Sequence, residues 1–523
     1  MKIVTAHTMQ ELDRQAIETH GIPGLDLMEC AGRGCAEHIM AAYGIRQGKR
    51  AVILAGRGNN GGDGYVIARH LLERGWQVQV LVLATRSEIS GDARTNLDLL
   101  ADDILSFCPH EGNLSEKHAD DLRQADVVVD ALLGTGLRND LQGTYLEAVA
   151  LINAAPGKVV AVDIPSGIHG TTGRILGKAV RADMTVTFGM AKLGHVLYPA
   201  ADLVGRLVIV DIGIPPQLMD TAPGYAFLDE RSMAPLVKRR DRQAHKGVFG
   251  HCLIVAGSTG KTGAAALAAN SAVRTGAGLV TLAVPESLNP ILEIKTTEAM
   301  TLPLPDAGSG FLTTQAISVI EKTLPGKAAV AVGPGIDRRP AGVTVVHSMV
   351  ESIDLPMVID ADGLNALAED SSVLHRRKSS NIVLTPHPGE MSRLLGSVIP
   401  DVAAIRVSVA QEFARSFGVY VILKGARTII AAPDGTAAIN GSGNPGMATG
   451  GMGDVLTGII TALLGQGYGT WDACCLGVYL HGLAGDLVAM EQGEIGMNAT
   501  DLLERIPLAL NRLVNLPTSQ KNN

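Results

Sequence analysis

Short runs of apolar, often β-branched residues recur along the chain with room for a helix between them. The first group is "RAVILAG" from Arg50, "WQVQVLVL" from Trp76, "ADVVVDALLG" from Ala125, "KVVAVDIPSG" from Lys158, "DMTVTFG" from Asp183 and "GRLVIVDIG" from Gly205. Strands that are apolar at nearly every position are buried on both faces, as in a parallel sheet covered by helices. Between the first two runs, "DGYVIARHLLERG" sets Ile67, Ala68, Leu71 and Leu72 on one helical face, which predicts a βαβ unit. The rhythm lapses between about residues 214 and 245, in "IPPQLMDTAPG" and the charged "KRRDRQAHKG", as a linker and a domain entrance would. It restarts with "GHCLIVAGS", "GLVTLAVP", "AAVAVGPG", "LPMVIDADG", "NIVLTPHPGE" and "YVILKGARTIIAAPDGTAAIN". The pattern predicts two α/β domains in tandem, residues 1–222 and 228–516. A hairpin at "PDG" makes the second sheet mixed.

Composition narrows the class. A chain of 523 residues with 46% apolar and 18% charged residues is too long for one core and folded throughout. Its net charge of −8 gives no electrostatic footprint for nucleic acid or an anionic membrane. The six cysteines (Cys30, Cys35, Cys108, Cys252, Cys474, Cys475) form no CxxC pair, which suggests a reducing compartment rather than a disulfide framework or a zinc site. No apolar run approaches the roughly 18 residues of a membrane span, and the N-terminus turns polar within a few residues. A cytoplasmic enzyme acting on small molecules is expected, without nucleic-acid or membrane partners and self-associating as a homo-oligomer.

The candidate chemistry sits at strand ends. "GRGNNGGDGY", residues 56–65, follows the first strand and holds Asn59, Asn60 and Asp63 among its glycines. It reads as a glycine loop leading into a helix that begins near Gly64, with free N–H groups facing an anion. It is not the dinucleotide fingerprint, because no acidic residue follows at the required spacing. Asp130, Asp163 and Ser166 end the strands that follow, and parallel strands gather such residues at one sheet edge. Amide, carboxylate and hydroxyl oxygens gathered there suit a hard cation or a polar, sugar-like ligand.

The order "GNNGGDG", "DALLGTGL", "AVDIPSG" and "TFGMAKLGHVLYPA" closely resembles the NAD(P)H-hydrate epimerase domain, a Rossmann-like three-layer sandwich. The resemblance implies potassium at Asn60, Asp130 and Ser166. It implies hydrated nucleotide at Asn59, Asn60, Gly61, Gly62 and Asp63, at Gly134, Thr135, Gly136, Leu137, Arg138, Asn139 and Asp140, and at Asp163. Asp63 and Asp163 become the candidates for moving the proton at the substrate hydroxyl. Where the family has Pro-Lys, this chain has Ala191-Lys192. That departure sets Lys192 aside, and His195 reads as a surface or packing histidine.

In the second domain, "GNPGMATGGMGDVLTGIITALLGQG" joins a glycine-rich loop to a helix with Asp454 in its first turn. Free N–H groups there attract phosphate, and a carboxylate beside that phosphate can take a proton from an attacking hydroxyl. The GxGD start resembles the ribokinase-like α/β fold. "HKGVFGHCLIVAGS", "VGPGI", "VIDADGLNAL", "LTPHPGEMSRL" and "LKGARTIIAAPDG" narrow the resemblance to the ADP- or ATP-dependent NAD(P)H-hydrate dehydratase. It implies adenine nucleotide at Lys424, Gly425, Ala426, Arg427, Thr428 and Gly453, and hydrate at Ala264, Gly335, His387 and Asp454. ADP is the expected co-substrate. Asp360, Asp362 and Glu390 can organise magnesium around phosphates, although Asp360 can equally cap the next helix and Glu390 begin one.

Two rival readings are weighed. "VAGSTGKTG" fails as a P-loop, because Val255 stands where glycine is required. A ribokinase-like vitamin-precursor kinase carrying an N-terminal nucleotide-binding regulatory module is opposed by the first domain's own site.

Overall fold

The computed structural model describes residues 1–44, 48–108, 114–399 and 403–516. The chain divides into two compact units, the main boundary along the sequence falling between Tyr225 and Ala226.

In the first unit all ladder pairings are parallel. The sheet order is Leu105–Phe107, Gln77–Val82, Arg50–Ala55, Val127–Ala131, Lys158–Val162, Met184–Phe188, Arg206–Val210. Successive strand residues enter opposite cores. Ala51, Ile53, Val127 and Val129 join the helices Ala6–Glu18, Gly24–Tyr43 and Asn59–Glu73, while Val52, Leu54 and Val128 join the helices Glu116–Arg123 and Gly143–Ala154. This is a three-layer sandwich. Its strand order reverses between Arg50–Ala55 and Val127–Ala131, and the split above the strand carboxyl ends at such a reversal is where open α/β sheets bind ligands.

A parallel pair, Lys2–Val4 with Ala191–Lys192, completes the unit and aligns Val4 with Lys192. The helix Ala6–Glu18 starts directly afterwards, with the Thr5 side chain accepting from Thr8 N–H as its cap.

The glycine loop differs from its sequence reading. The helix begins at Asn59, five residues earlier than expected, and Asn60 through Ala68 are all buried in it. Its glycines serve packing rather than left-handed turns: a Cβ on Gly61 would lie 2.0 Å from the Gly56 carbonyl oxygen, so only a bare backbone fits. Leu72, expected on the buried face, is 36% exposed.

In the second unit the sheet runs Met300–Leu304, Leu279–Pro285, His251–Val255, Ala329–Val332, Met357–Ile359, Ile382–Leu384, Tyr420–Leu423, Ile429–Ala431, Ala437–Asn440, Tyr225–Leu228. The pairings are parallel as far as Tyr420–Leu423 and antiparallel on either side of Ile429–Ala431, so the sheet is mixed. Tyr225–Leu228, expected as linker, is a strand paired parallel to Ala437–Asn440. The helices Thr262–Arg274, Met452–Gly465, Thr470–Gln492 and Ala499–Val514 share one core with this sheet.

Helix Thr470–Gln492 is long and apolar enough by composition to cross a membrane, which the run-length reading misses because Asp472, His481 and Asp486 interrupt it. It is 72% buried over its apolar window, and helices Met452–Gly465 and Ala499–Val514 pack against it. A core helix needs the same composition.

Candidate active sites

In the first unit a cleft of about 1250 Å³ opens above the strand reversal. Asn59, Asn60, Asp63, Gly134 through Asp140 and Asp163 line it, with Gln10 and Asp13 from the first helix. Gly61 and Gly62 are not in the lining, since they pack against the Gly56 carbonyl and Met28. The volume suits a dinucleotide better than a single small metabolite.

Asp163 is held from three sides. Its Oδ1 accepts from Lys192 Nζ at 2.7 Å and from Thr187 Oγ1 at 2.9 Å, and its backbone, at a φ of 63°, is fixed by His195 Nε2 donating to its carbonyl at 2.8 Å. A positive φ at aspartate is strained, and three tethers are what maintain it. Burial pulls the Asp163 carboxyl upward, but the Lys192 ammonium prevails and holds it below the usual carboxylate range. Asp63 goes the other way: burial, reinforced by the charges of Asp163 and Asp13, holds it well above that range. One cleft therefore contains one carboxyl pushed down and one pushed up, the separation acid–base chemistry uses. His195 is a buried packing histidine whose imidazole burial lowers to about 4, so it stays neutral, its Nδ1 accepting from Lys192 N–H.

Behind these residues, Asp130 is fully buried. Its oxygens accept from Ser166 Oγ at 2.7 Å, Ser166 N–H at 2.8 Å and Leu132 N–H at 3.3 Å. No lysine or arginine pairs with it among the described residues, and burial lifts it to about 6. Asn60 is buried beside Gly134, with Nδ2 lacking a hydrogen-bond partner among the described residues. Rotating the amide would place its oxygen where that N–H is stranded. A carboxylate without a countercharge, a hydroxyl and an amide oxygen form a donor set that fits a hard monovalent cation.

In the second unit the strand ends converge on the start of helix Met452–Gly465, whose cap, Gly451, has a φ of 90° that only glycine adopts freely. Lys424 Nζ donates to Asp360 Oδ1 at 2.9 Å and lies 3.8 Å from Glu390. Thr457 Oγ1 donates to Asp360 Oδ2 at 2.8 Å. Asp360 is thus committed to Lys424 and Thr457 and does not cap the following helix. Glu390 does belong to a helix start: it accepts from His387 N–H at 2.8 Å, while His387 Nδ1 caps the same turn. A Cβ on Gly453 would sit 3.2 Å from Lys424 Nζ, which places Gly453 and Lys424 side by side. Gly335 packs on Ala264 and Lys261, and Lys261 Nζ reaches Asp362 at 2.8 Å. Burial, with the negative charges of Asp360, Asp362 and Glu390, lifts Asp454 to about 7 despite Lys424.

The run Lys424–Thr428 connects two antiparallel strands. Arg406 shapes it by donating to the carbonyls of Leu423, Lys424 and Ala426. The Arg427 guanidinium turns to the Gly441 carbonyl and the Phe227 ring, so this run offers mainly backbone to a ligand. Among the described residues no group of three or more His, Cys, Asp or Glu forms a metal cage. Asp360 and Glu390 instead share Lys424, while Asp362 pairs with Lys261.

Two family models match this chain: "YjeF-related protein N-terminus" over residues 24–194 and "NAD(P)H-hydrate dehydratase" over residues 252–508. The bifunctional NAD(P)H-hydrate repair enzyme of Moorella thermoacetica is 45% identical, covering 98% of this chain and 97% of its own length. The enzyme of the same name from Escherichia coli is 34% identical over 98% of this chain and 93% of its own. The chain belongs to the bifunctional NAD(P)H-hydrate repair enzymes. Among solved structures, the ADP/ATP-dependent NAD(P)H-hydrate dehydratase of Bacillus subtilis, co-crystallised with ATP and Mg2+, is 31% identical. It covers 55% of this chain and 99% of that one, with a TM-score of 0.49.

As a member of this family the chain is an enzyme with an epimerase and a dehydratase domain. The expected α/β class holds in both units, with a parallel sheet between helices in the first and a mixed sheet in the second. The sequence reading missed Asp13 and Thr187 in the first unit and Lys261, Arg406 and Thr457 in the second, and it set aside Lys192, which the structure pairs with Asp163. Lys192 carried a signal: a lysine set between Met190, Ala191 and Leu193 needs a buried partner.

Proposed function

We propose that the first unit, residues 1–222 in the sequence reading, interconverts the R and S hydrates of NADH and NADPH. The second, residues 228–516, dehydrates the S hydrate with conversion of ADP to AMP and phosphate. The observation that carries this reading is a separate cluster of carboxyls around a buried lysine in each unit: Asp63 and Asp163 near Lys192 in one, Asp454, Asp360 and Glu390 near Lys424 in the other.

Water adds at C6 of a reduced nicotinamide ring and abolishes hydride donation. In the first unit, Asn59, Asn60, Asp63 and the stretch from Gly134 to Asp140 hold the nucleotide. Asp163, kept ionised by Lys192, accepts the proton of the C6 hydroxyl, and Asp63, kept protonated by burial, supplies one to the ring nitrogen as the C6–N1 bond opens. Asn60, Asp130 and Ser166 hold potassium, whose charge answers the buried carboxylate of Asp130.

In the second unit, Ala264, Gly335 and His387 hold the hydrate, and Lys424 to Thr428 with Gly453 hold ADP. Asp454 takes the proton from the S hydroxyl as its oxygen attacks the terminal phosphorus of ADP, releasing AMP. Phosphate is a better leaving group than hydroxide, so it departs from C6 and the ring regains its double bond on losing a proton. Magnesium bound with the nucleotide would neutralise phosphate charge there, taking at most one or two of these carboxylates. Six cysteines without a disulfide support a reducing, cytoplasmic setting.

Asn60→Ala tests the reading. Repair of the R hydrate should slow several-fold and require more potassium, whereas repair of the S hydrate proceeds at the wild-type rate. Equal slowing on both hydrates would mean general destabilisation, and no slowing on either would return the asparagine to a packing role.

A further inference from the structure

Inverting C6 moves the oxygen from one face of the nicotinamide ring to the other. A nucleotide gripped by the cleft does not turn over with it, so the group that serves the oxygen on one face is misplaced for the other. Asp163 cannot follow. Its Oδ1 is shared by Lys192 and Thr187, and its backbone is tied by His195. A second carboxyl from a different element is needed, and the lining contains few. Glu88 Oε2 accepts from both the N–H and the hydroxyl of Thr85, and Asp140 stands exposed at the rim. Asp63 is taken by the ring nitrogen in the reading above.

Asp13 remains. It comes from the helix Ala6–Glu18 rather than from a strand end, it lines the cleft, and its Oδ1 is buried without a hydrogen-bond partner among the described residues. Its helix is pinned on either side. Leu12 and Ala16 are buried in the core, and the strand before it pairs Val4 with Lys192. Arg14 and Gln15, its neighbours, bond to Glu11 and leave Asp13 uncontested.

We propose that Asp13 is a catalytic residue of the epimerase, serving the C6 oxygen on the ring face opposite to that served by Asp163. This rests on the epimerase reading of the first unit. From one epimer, Asp163 carboxylate takes the O–H proton, and the O–H electron pair forms C6=O as the C6–N1 pair withdraws to nitrogen, which takes the proton of Asp63. The C5–C6 bond rotates. Nitrogen then attacks the other face of C6 and returns its proton to Asp63, while the carbonyl pair withdraws to oxygen, which takes the proton of Asp13. The net change is one proton moved from Asp13 to Asp163, and solvent resets it. Starting from the other epimer, the two carboxyls exchange roles. Burial lifts Asp13 to about 6, with Lys192 opposing and Asp163 adding to the rise, while Asp163 is held low. This difference favours the starting state, in which Asp13 carries the proton and Asp163 does not.

The half-reactions separate the two carboxyls. The full chain without ADP is given each pure hydrate together with hydroxylamine, which traps the open aldehyde as an oxime, and the enzyme-free rate is subtracted. In Asp13→Asn, interconversion should fall at least about 100-fold in both directions. Trapping should be lost from one epimer and kept near the wild-type rate from the other. Asp163→Asn should give the opposite pattern. Dehydration of the S hydrate with ADP, unchanged in Asp13→Asn, checks that the chain is folded. Loss of trapping from both epimers in Asp13→Asn, or from neither, overturns the proposal. A wild-type chain that interconverts nothing overturns the epimerase reading itself, and the proposal with it.

Discussion

Asp454→Asn should lower ADP-dependent dehydration of the S hydrate by about 100-fold or more while epimerisation is untouched. The substituted side chain keeps the size and place of the carboxylate but cannot accept the proton. The helix start at Gly451 and the Lys424–Asp360 pair remain to bind nucleotide, so ADP affinity should change little. The wild type also has a pH signature. Burial and three neighbouring carboxylates lift Asp454 to about 7, and a base must lose its proton before it can accept one. Dehydration kcat/KM should therefore climb as pH rises toward 7, and the residual activity of Asp454→Asn should lack that limb. Retention of a tenth of the wild-type turnover would remove Asp454 from the role of base.

Lys192→Met should be the most damaging single change in the first unit. Only 2% of the Lys192 side chain and 14% of the Asp163 side chain is exposed, with 2.7 Å between the charges. Removing one member of such a pair leaves the other charged and buried, at a cost of about 3–5 kcal/mol. The unfolding transition of the first unit should shift accordingly, and epimerisation should vanish because Asp163 loses both its low pKa and its tether. The double variant Lys192→Met/Asp163→Leu separates the two effects. It should recover much of the stability, since no lone charge remains, and none of the epimerisation. Recovery of epimerisation, or a single variant as stable as wild type, would mean that the pair does not hold the site together.

What was legible in the sequence followed from periodicity and from strand ends. Continuous apolar runs such as "RAVILAG" are buried on both faces of their sheets, as that pattern demands, and parallel strands deliver Asn60, Asp130 and Asp163 to one end. The glycine loop misled because glycine has two uses. The sequence places the helix start near Gly64, with the earlier glycines in a loop, whereas Gly61, Gly62 and Gly64 lie in the helix and admit neighbours against its backbone. That use depends on tertiary contacts that no local pattern reveals. Asp13 was missed for a related reason: it lies on a helix, away from the strand ends, and reaches the cleft only through the tertiary fold. Lys192 was set aside on the Ala191-Lys192 departure, although its buried contact with Asp163 is likewise a tertiary one. The strand at Tyr225–Leu228 was read as linker because the Pro223-Gly224 pair before it dominates the local pattern. Helix Thr470–Gln492 was passed over as a candidate span because its polar residues break the apolar run, although its average is apolar enough.

The central claim is two complementary sites on one chain, and one assay addresses it. The full chain is given a mixture of R and S hydrates with magnesium and potassium, and the return of reduced-nicotinamide absorbance is followed with ADP, with ATP and with neither. With ADP the whole mixture should return to reduced nucleotide, the S portion first and the R portion at the slower rate of epimerisation. With no nucleotide, nothing should return. Recovery that stops once the S portion is consumed would contradict an epimerase in the first unit, and recovery without any nucleotide would contradict phosphoryl transfer in the second.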